Sequence, residues 1–311
     1  MTNQTILSRA ADAVRNARYP ARRLTIVYAA IAGGIPLAVQ LISYLLTRQM
    51  DSTGGLGGIG TRTMLSLIQT LVLFAGTAAM PFWNLGYSGA TLRIARGETA
   101  TPPSLLSGFH RFFPLLRLML LRALLIMLLA IAAMNAASML FMLTPASIIV
   151  MEELESVLAA GEAALADPAV VEQLLSLLWP LYLLLGLVLL ALLIPISYRL
   201  RLTDLSVLDG NDRALPAMLI SYRAMRGKCL QLFRLDLHFW YYYVLNALAG
   251  ALAYGDMLLG LESDLAFWCF YCGSLLAQLA VTVLFAPKLH TACALFYDAA
   301  IQQETPKEST P

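Results

Sequence analysis

The sequence predicts an all-α, polytopic membrane bundle with six transmembrane helices and amphipathic helices lying at the cytoplasmic interface. Three observations predict it. Of 311 residues, 59% are hydrophobic and only 13% are charged, against about 25% charged in a soluble domain. The charge is missing in blocks long enough to cross a bilayer. The basic residues that remain gather on one side of those blocks.

A helix needs about 20 apolar residues to cross the hydrocarbon core. Uncharged runs of that size occupy residues 24–47, 63–92, 123–151, 173–198 and 265–287. A sixth, 239–255, is shorter, and Leu235 and Leu237 extend its apolar character across Asp236. A soluble core of this size cannot hide six such helices. A membrane barrel would alternate in polarity over segments of about ten residues, and Leu181 to Leu193 do not alternate.

Orientation follows from Lys and Arg. All of the 21 basic residues except Arg48 and Arg62 fall before the first span, between spans two and three, between four and five, or after six. By the positive-inside rule that side, with both termini, is cytoplasmic. The opposite side carries acids, among them Glu152, Glu153, Glu155, Glu162, Asp167 and Glu172. No cleavable signal is expected, because the apolar run is too long for a signal core. Arg22-Arg23 reads as flanking charge.

The predicted organisation is a basic amphipathic segment at 1–23, a six-helix transmembrane domain at 24–300 and a disordered cytoplasmic tail at 301–311. An external acidic segment interrupts the domain at about 146–172. A glycine-rich external loop lies at 51–61; with no following Lys it is not a phosphate-binding loop. Basic amphipathic stretches at 6–17, 104–113 and 217–225 precede the first, third and fifth spans, with spacings that fit interfacial helices. Gly97 precedes Pro103 by six residues, as Gly210 precedes Pro216. Each even span carries a proline (Pro81, Pro195, Pro287) near its cytoplasmic end, followed by about ten more helical residues. These features predict an internal repeat of three units, each an interfacial helix and a transmembrane hairpin, at about 1–98, 99–210 and 211–304.

Chemistry is sparse. His110, His238 and His290 have no metal-ligand spacing and read as solvated interfacial residues, so no metal is expected. Cys269 and Cys272 form a lone pair and read as packing residues, as do Cys229 and Cys293. No nucleophile motif is found, so no catalytic residue and no cofactor is expected. The most suggestive polar cluster is Arg234, Asp236 and His238. Residues two apart do not face one another on a helix, so Asp236 needs a partner elsewhere, such as Arg199 or Arg93. Gln40, Gln69, Asn84, Asn135, Asn246 and Gln278 lie within spans, where amides tie helices together. Asp236, Arg234, His238, Asn84 and Asn246 form the candidate ligand site. The run 239–243 (Phe-Trp-Tyr-Tyr-Tyr) reads as an interfacial aromatic belt.

The stretch Ser221-Tyr222-Arg223-Ala224-Met225-Arg226-Gly227-Lys228, continuing through Leu232 and Phe233 to Phe239, resembles the hallmark of a bacterial integral membrane family of unknown function. That family, domain of unknown function nine hundred seventy-five, looks related to the membrane domain of glycerophosphodiester phosphodiesterases. Arg96-Gly97-Glu98 with Leu106, Gly108, Phe109 and Phe112 is similar to its segment between spans two and three. Pro287 with Phe296 and Tyr297 is similar to its closing motif. Lys288 and Tyr242 depart from the pattern, which more often has an aromatic after the proline and a tryptophan. The resemblance implies a multi-helix protein of the bacterial cytoplasmic membrane and brings no catalytic residue with it.

Two functions fit. The first is a non-catalytic scaffold, regulatory or accessory component, whose partners are anionic lipid headgroups at the cytoplasmic face or another membrane protein. The second is a transporter of a small solute or lipid, with a site between spans two, four and five. An intramembrane enzyme acting on lipid is a weaker third. Nucleic acid is not an expected partner, because topology accounts for the arginines.

Overall fold

The computed structural model describes residues 2–52, 59–160, 170, 172, 176–210, 213–261 and 263–302. Most of the glycine-rich loop, much of the acidic segment and the polar tail from 303 onward lie outside the described residues. Among the described residues the regular structure is helical, without a strand. Five helices are long and apolar enough to cross a membrane, the architecture of a multi-pass membrane protein. Their outward faces carry exposed Leu71, Phe74, Leu187 and Leu276. Such faces are stable against lipid tails, where an apolar side chain has no water to avoid.

The chain divides into two compact units, Met1–Leu116 with Leu202–Pro311, and Arg117–Arg201. In the first, α1 (Asn3–Arg15) begins at Thr2, whose side chain accepts from the Thr5 N–H. It buries Ile6 and Ala10 and leaves Arg9 and Arg15 exposed. Helices α2 (Ala21–Ser52) and α3 (Ile59–Ala95) run antiparallel. Thr25 meets Tyr87 near one end, and Gln69 reaches Thr47 near the other. Gly97 stops α3 with a φ of 76°, a conformation that side chains disfavour. There the Glu98 N–H reaches back to the Arg93 carbonyl at 2.9 Å, closing the helix end.

After α3 comes a 3-10 turn (Pro102–Leu106) and a single turn, α4 (Ser107–His110). The expected amphipathic helix over 104–113 is thus broken into pieces, and the cause is packing against α3. A side chain at Gly86 would collide with the Leu105 carbonyl, and one at Gly108 with the Phe82 carbonyl. Backbone lies on backbone, and Phe82 stacks on Phe109 and Phe112.

Helix α5 (Phe112–Met142) leads into the second unit, which also holds α6 (Pro145–Ala160) and α7 (Trp179–Leu200). There Arg122 donates to the Leu200 carbonyl at 2.8 Å. Helix α6 covers the start of the expected acidic segment and exposes Glu152 and Glu155.

The chain re-enters the first unit through α8 (Thr203–Leu208), α9 (Ala214–Ala224) and α10 (Cys229–His238). The sixth apolar run is not one helix. It is α11 (Trp240–Ala251), a 3-10 turn (Leu252–Tyr254) and α12 (Gly255–Leu258). At twelve residues α11 is about 18 Å long. These pieces run antiparallel to α13 (Asp264–Gln302). Tyr241 meets Phe285 with ring centroids 5.0 Å apart, and Gly255 lies against Phe270.

The first unit's core sits at one end. Ala21, Leu24, Tyr87, Ala90, Ile94, Leu105 and Ala286 form it, with Val14 and Tyr19 packed against it. At the same end Arg96 pairs with Asp209 at 2.6 Å and Asp298 at 2.7 Å. Lys228 donates to the Ala300 carbonyl, and Asn3 to the Gln231 carbonyl. At the far end the Tyr44 hydroxyl donates to Asp264 at 2.6 Å.

Candidate functional site

Helices α2, α3, α11 and α13 enclose a cavity of about 430 Å³. Small residues open it: Ala29, Ala32 and Gly33 on α2, and Ala286 on α13. Pro36 lines it as well. Lacking an N–H, Pro36 leaves the Ala32 carbonyl without its helical donor, so this wall offers backbone as well as side-chain polarity.

The polar lining comes from all four helices: Tyr28, Asn84, Tyr242, Ser274, Gln278, Thr282 and His290. The Tyr28 hydroxyl donates to Asn84 Oδ1 at 2.6 Å. Its ring stacks on Tyr87, with centroids 4.2 Å apart and planes 12° from parallel. Tyr87 is 1% exposed. Thr25 gives its hydroxyl proton to the Ala21 carbonyl, so the Tyr87 hydroxyl is the donor in the 2.9 Å Thr25–Tyr87 bond. His290 sets its ring edge against Tyr87 at 5.0 Å. Gln278 donates to the buried Ser274 Oγ at 3.1 Å. Hydrogen-bonding groups from four helices therefore converge on one cavity with their geometry fixed by neighbours.

The site expected from sequence is only partly here. Asn84 is on the cavity wall. Asp236 is 5% exposed and accepts from the Tyr243 hydroxyl at 3.4 Å, but it is not on this wall. Arg234 and His238 are exposed, because α10 turns Asp236 inward and its neighbours two residues away outward. Asn246 donates to the Tyr242 carbonyl one turn back. Asn135 does the same to Ile131. His290, expected to be solvated at the interface, is instead half-buried on Tyr87. α13 continues unbroken past Pro287 and carries the ring into the bundle. The aromatic run divides: Trp240 and Tyr243 are exposed as a belt requires, whereas Phe239 is buried and Tyr242 lines the cavity.

The motif residues serve the framework. Gly97 and Gly227 hold positive φ. Phe109 packs on Phe82 and Trp83. Ser221, Phe239, Pro287, Phe296 and Tyr297 are buried, and Phe233 is 44% exposed. None of the four cysteines is in a disulfide, and Cys269 is exposed. The sequence missed Tyr28, Tyr87 and His290 as a group. The available signal was two tyrosines and a histidine inside or bordering otherwise apolar runs.

Compared with models of known families, with curated proteins and with solved structures, the chain matches none.

Proposed function

We propose that this chain is a non-catalytic carrier of the bacterial cytoplasmic membrane that receives a small uncharged polar solute, or the polar part of a lipid, between α2, α3, α11 and α13. The cavity carries this reading. Its volume, about 430 Å³, falls within the roughly 300–1,000 Å³ that small-ligand sites occupy. A purely structural bundle has no need of polar groups converging on a void, because each lowers packing and must find a hydrogen bond. This favours the transporter reading over a scaffold.

The carrier has six crossings, both ends in the cytoplasm and a threefold repeat. Supporting the sixth crossing, the broken segment from Trp240 to Leu258 follows α13 from Phe285 to Phe270. Supporting the shared side of the termini, Asn3 and Ala300 bond to neighbouring parts of the α10 start. Supporting the repeat, Arg96 pairs with Asp209 and Asp298, so residues near the ends of the three units, at about 98, 210 and 304, meet. Broken helices beside a midplane site and internal repeats are common in secondary transporters.

The test uses the full-length protein purified in detergent. Native mass spectrometry with rising activation reads which molecules it keeps. A side-chain carbon at Gly33 meets nothing within 4 Å, so Gly33→Trp fills the cavity from an open position. A retained small-molecule mass that disappears in Gly33→Trp, with helical content preserved, supports the carrier. No retained mass, or equal retention by the variant, overturns it. A protein subunit retained in its place restores the accessory reading.

A further inference from the structure

The cavity between α2, α3, α11 and α13 presents neutral hydrogen-bonding groups that the protein leaves unused, and it reaches the surface at Asn84. We propose that its ligand is the neutral, polyhydroxyl headgroup of a lipid, entering sideways between α3 and α11. This rests on the carrier reading and names the ligand class for the same cavity.

The wall chemistry selects the headgroup. Asn84 Oδ1 accepts from the Tyr28 hydroxyl at 2.6 Å. Among the described residues the two hydrogens on Asn84 Nδ2 have no acceptor. Gln278 donates through Nε2 to Ser274 Oγ at 3.1 Å. Among the described residues that leaves Gln278 Oε1 without a donor and the Ser274 hydroxyl hydrogen without an acceptor. Tyr271 packs its ring on Phe267 and Trp268, and its hydroxyl has no hydrogen-bond partner among the described residues. The unused set is therefore mixed: amide donors, an amide acceptor and two hydroxyls.

A ligand hydroxyl donates once and accepts twice, so it can answer either kind of group. Tyr271, Ser274 and Gln278 follow one face of α13 over about 10 Å, and Asn84 stands on α3. One hydroxyl cannot reach them all, and several on one headgroup can. Charged headgroups fit less well. Among the described residues no Lys, Arg, Asp or Glu lines the cavity. An ammonium group would give up its water with no carboxylate opposite, and a phosphate with no guanidinium or ammonium opposite.

The opening favours a lipid over a free polyol. Asn84 is both on the cavity wall and exposed. On the same face of α3, Thr77 is exposed and its hydroxyl is bonded to the Leu73 carbonyl at 2.8 Å. Leu73 itself is 43% exposed. On α11, Leu245 follows the cavity residue Tyr242 by three positions and is 39% exposed. Leu73 and Leu245 both lead away from the arginine-rich end of the unit. A headgroup beside Asn84 would therefore leave its acyl chains along an apolar surface.

The experiment places the purified full chain in nanodiscs of phosphatidylcholine with equal minor amounts of monoglucosyl diacylglycerol and phosphatidylglycerol. The protein is released gently and its bound lipids are counted by native mass spectrometry. The parent protein is expected to keep the glucolipid in preference to phosphatidylglycerol. Asn84→Leu and Gln278→Leu should each lower glucolipid retention about tenfold and leave phosphatidylcholine unchanged, and Gly33→Trp should abolish it. The two polar variants lie on different helices, and thermal unfolding of each separates lost ligand from lost fold. Unchanged glucolipid retention in Asn84→Leu and Gln278→Leu overturns the proposal, and so does a preference for phosphatidylglycerol. Free glucose retained in place of the glucolipid overturns the lipid source. A Gly33→Trp-sensitive mass that is not a lipid keeps the carrier and overturns this ligand class. Absence of any Gly33→Trp-sensitive mass overturns both.

Discussion

Arg96 and Asp209 stand 113 residues apart in sequence and meet through Nη1 and Oδ1 at 2.6 Å. The same guanidinium reaches Asp298 at 2.7 Å, and Tyr297 donates to Asp209 at 3.3 Å. One planar fork thereby joins the ends of α3, α8 and α13. Removing it leaves two carboxylates facing each other. The three side chains remain 33%, 32% and 21% exposed, so water screens part of the interaction. Arg96→Gln is expected to cost about 1–2 kcal/mol, read as a lower unfolding midpoint in detergent. Arg96→Lys should recover little, because a point charge cannot fork to both acids.

The same pair sets a pH expectation. The hydrogen bonds to Asp209 and then to Asp298 raise the Arg96 pKa above its ordinary value. A basic group with a raised pKa contributes stability that is fully present below its unfolded value. That contribution is lost only as the pH climbs through the folded one. For arginine the unfolded value already lies far above neutrality. The stability gap between the parent protein and Arg96→Gln should therefore stay constant from about pH 7 to about pH 9. A gap that closed in that window would mean that another group supplies the interaction.

Two glycines separate close packing from mere helix content. A methyl group at Gly86 or Gly108 strikes backbone carbonyls, which cannot rotate aside. Gly86→Ala is expected to destabilise by about 2–4 kcal/mol. Gly186 in α7 has nothing within 4 Å of an added carbon. Gly186→Ala should be neutral or stabilising by about 0.5–1 kcal/mol. Thermal unfolding of the two variants side by side checks both signs.

Within the cavity wall, Tyr28→Phe removes the 2.6 Å bond to Asn84 and keeps the stack on Tyr87. A loss of about 1 kcal/mol is expected, together with weaker retention of any cavity ligand. Asp236→Ala should behave oppositely. It loses stability, since Asp236 is buried and bonded to Tyr243, but keeps the ligand, since it is off the wall. Loss of ligand in Asp236→Ala with Tyr28→Phe unaffected would move the site to α10.

What was legible in the sequence follows the range of the physics. Whether a segment can cross lipid depends on its own composition, so the five long spans could be read locally. The break after Phe239 could not. It depends on Gly255 and Tyr241 meeting α13 far along the chain. Asn84 and Gln278 stood out as amides in apolar runs and do line the cavity. Tyr28 and Tyr87 did not, because a tyrosine near a span end reads as an interfacial anchor. Their stacking across α2 and α3 is tertiary. Asp236 stood out by charge alone, and charge does not say which way a helix faces. Arg96 was one arginine among those that set topology, and its two partners lie in distant segments.

The crossing of Trp240 to Leu258 has a direct test. Met257 is 82% exposed at the end of that segment, and Thr2 is exposed at the start of α1. In a chain whose four native cysteines are replaced by serine, Thr2→Cys and Met257→Cys are labelled with a membrane-impermeant maleimide in intact cells and in inside-out vesicles. With six crossings and a cytoplasmic N-terminus, Met257→Cys reacts from outside and Thr2→Cys only in inverted vesicles. If the broken segment returned to its side of origin, Met257→Cys would follow Thr2→Cys. The third hairpin would then lack its first crossing, leaving α13 to cross alone and the termini on opposite sides. The Asn3–Gln231 and Lys228–Ala300 contacts place Asn3 and Ala300 against the start of α10, so opposite labelling of Thr2→Cys and Met257→Cys is the expected result.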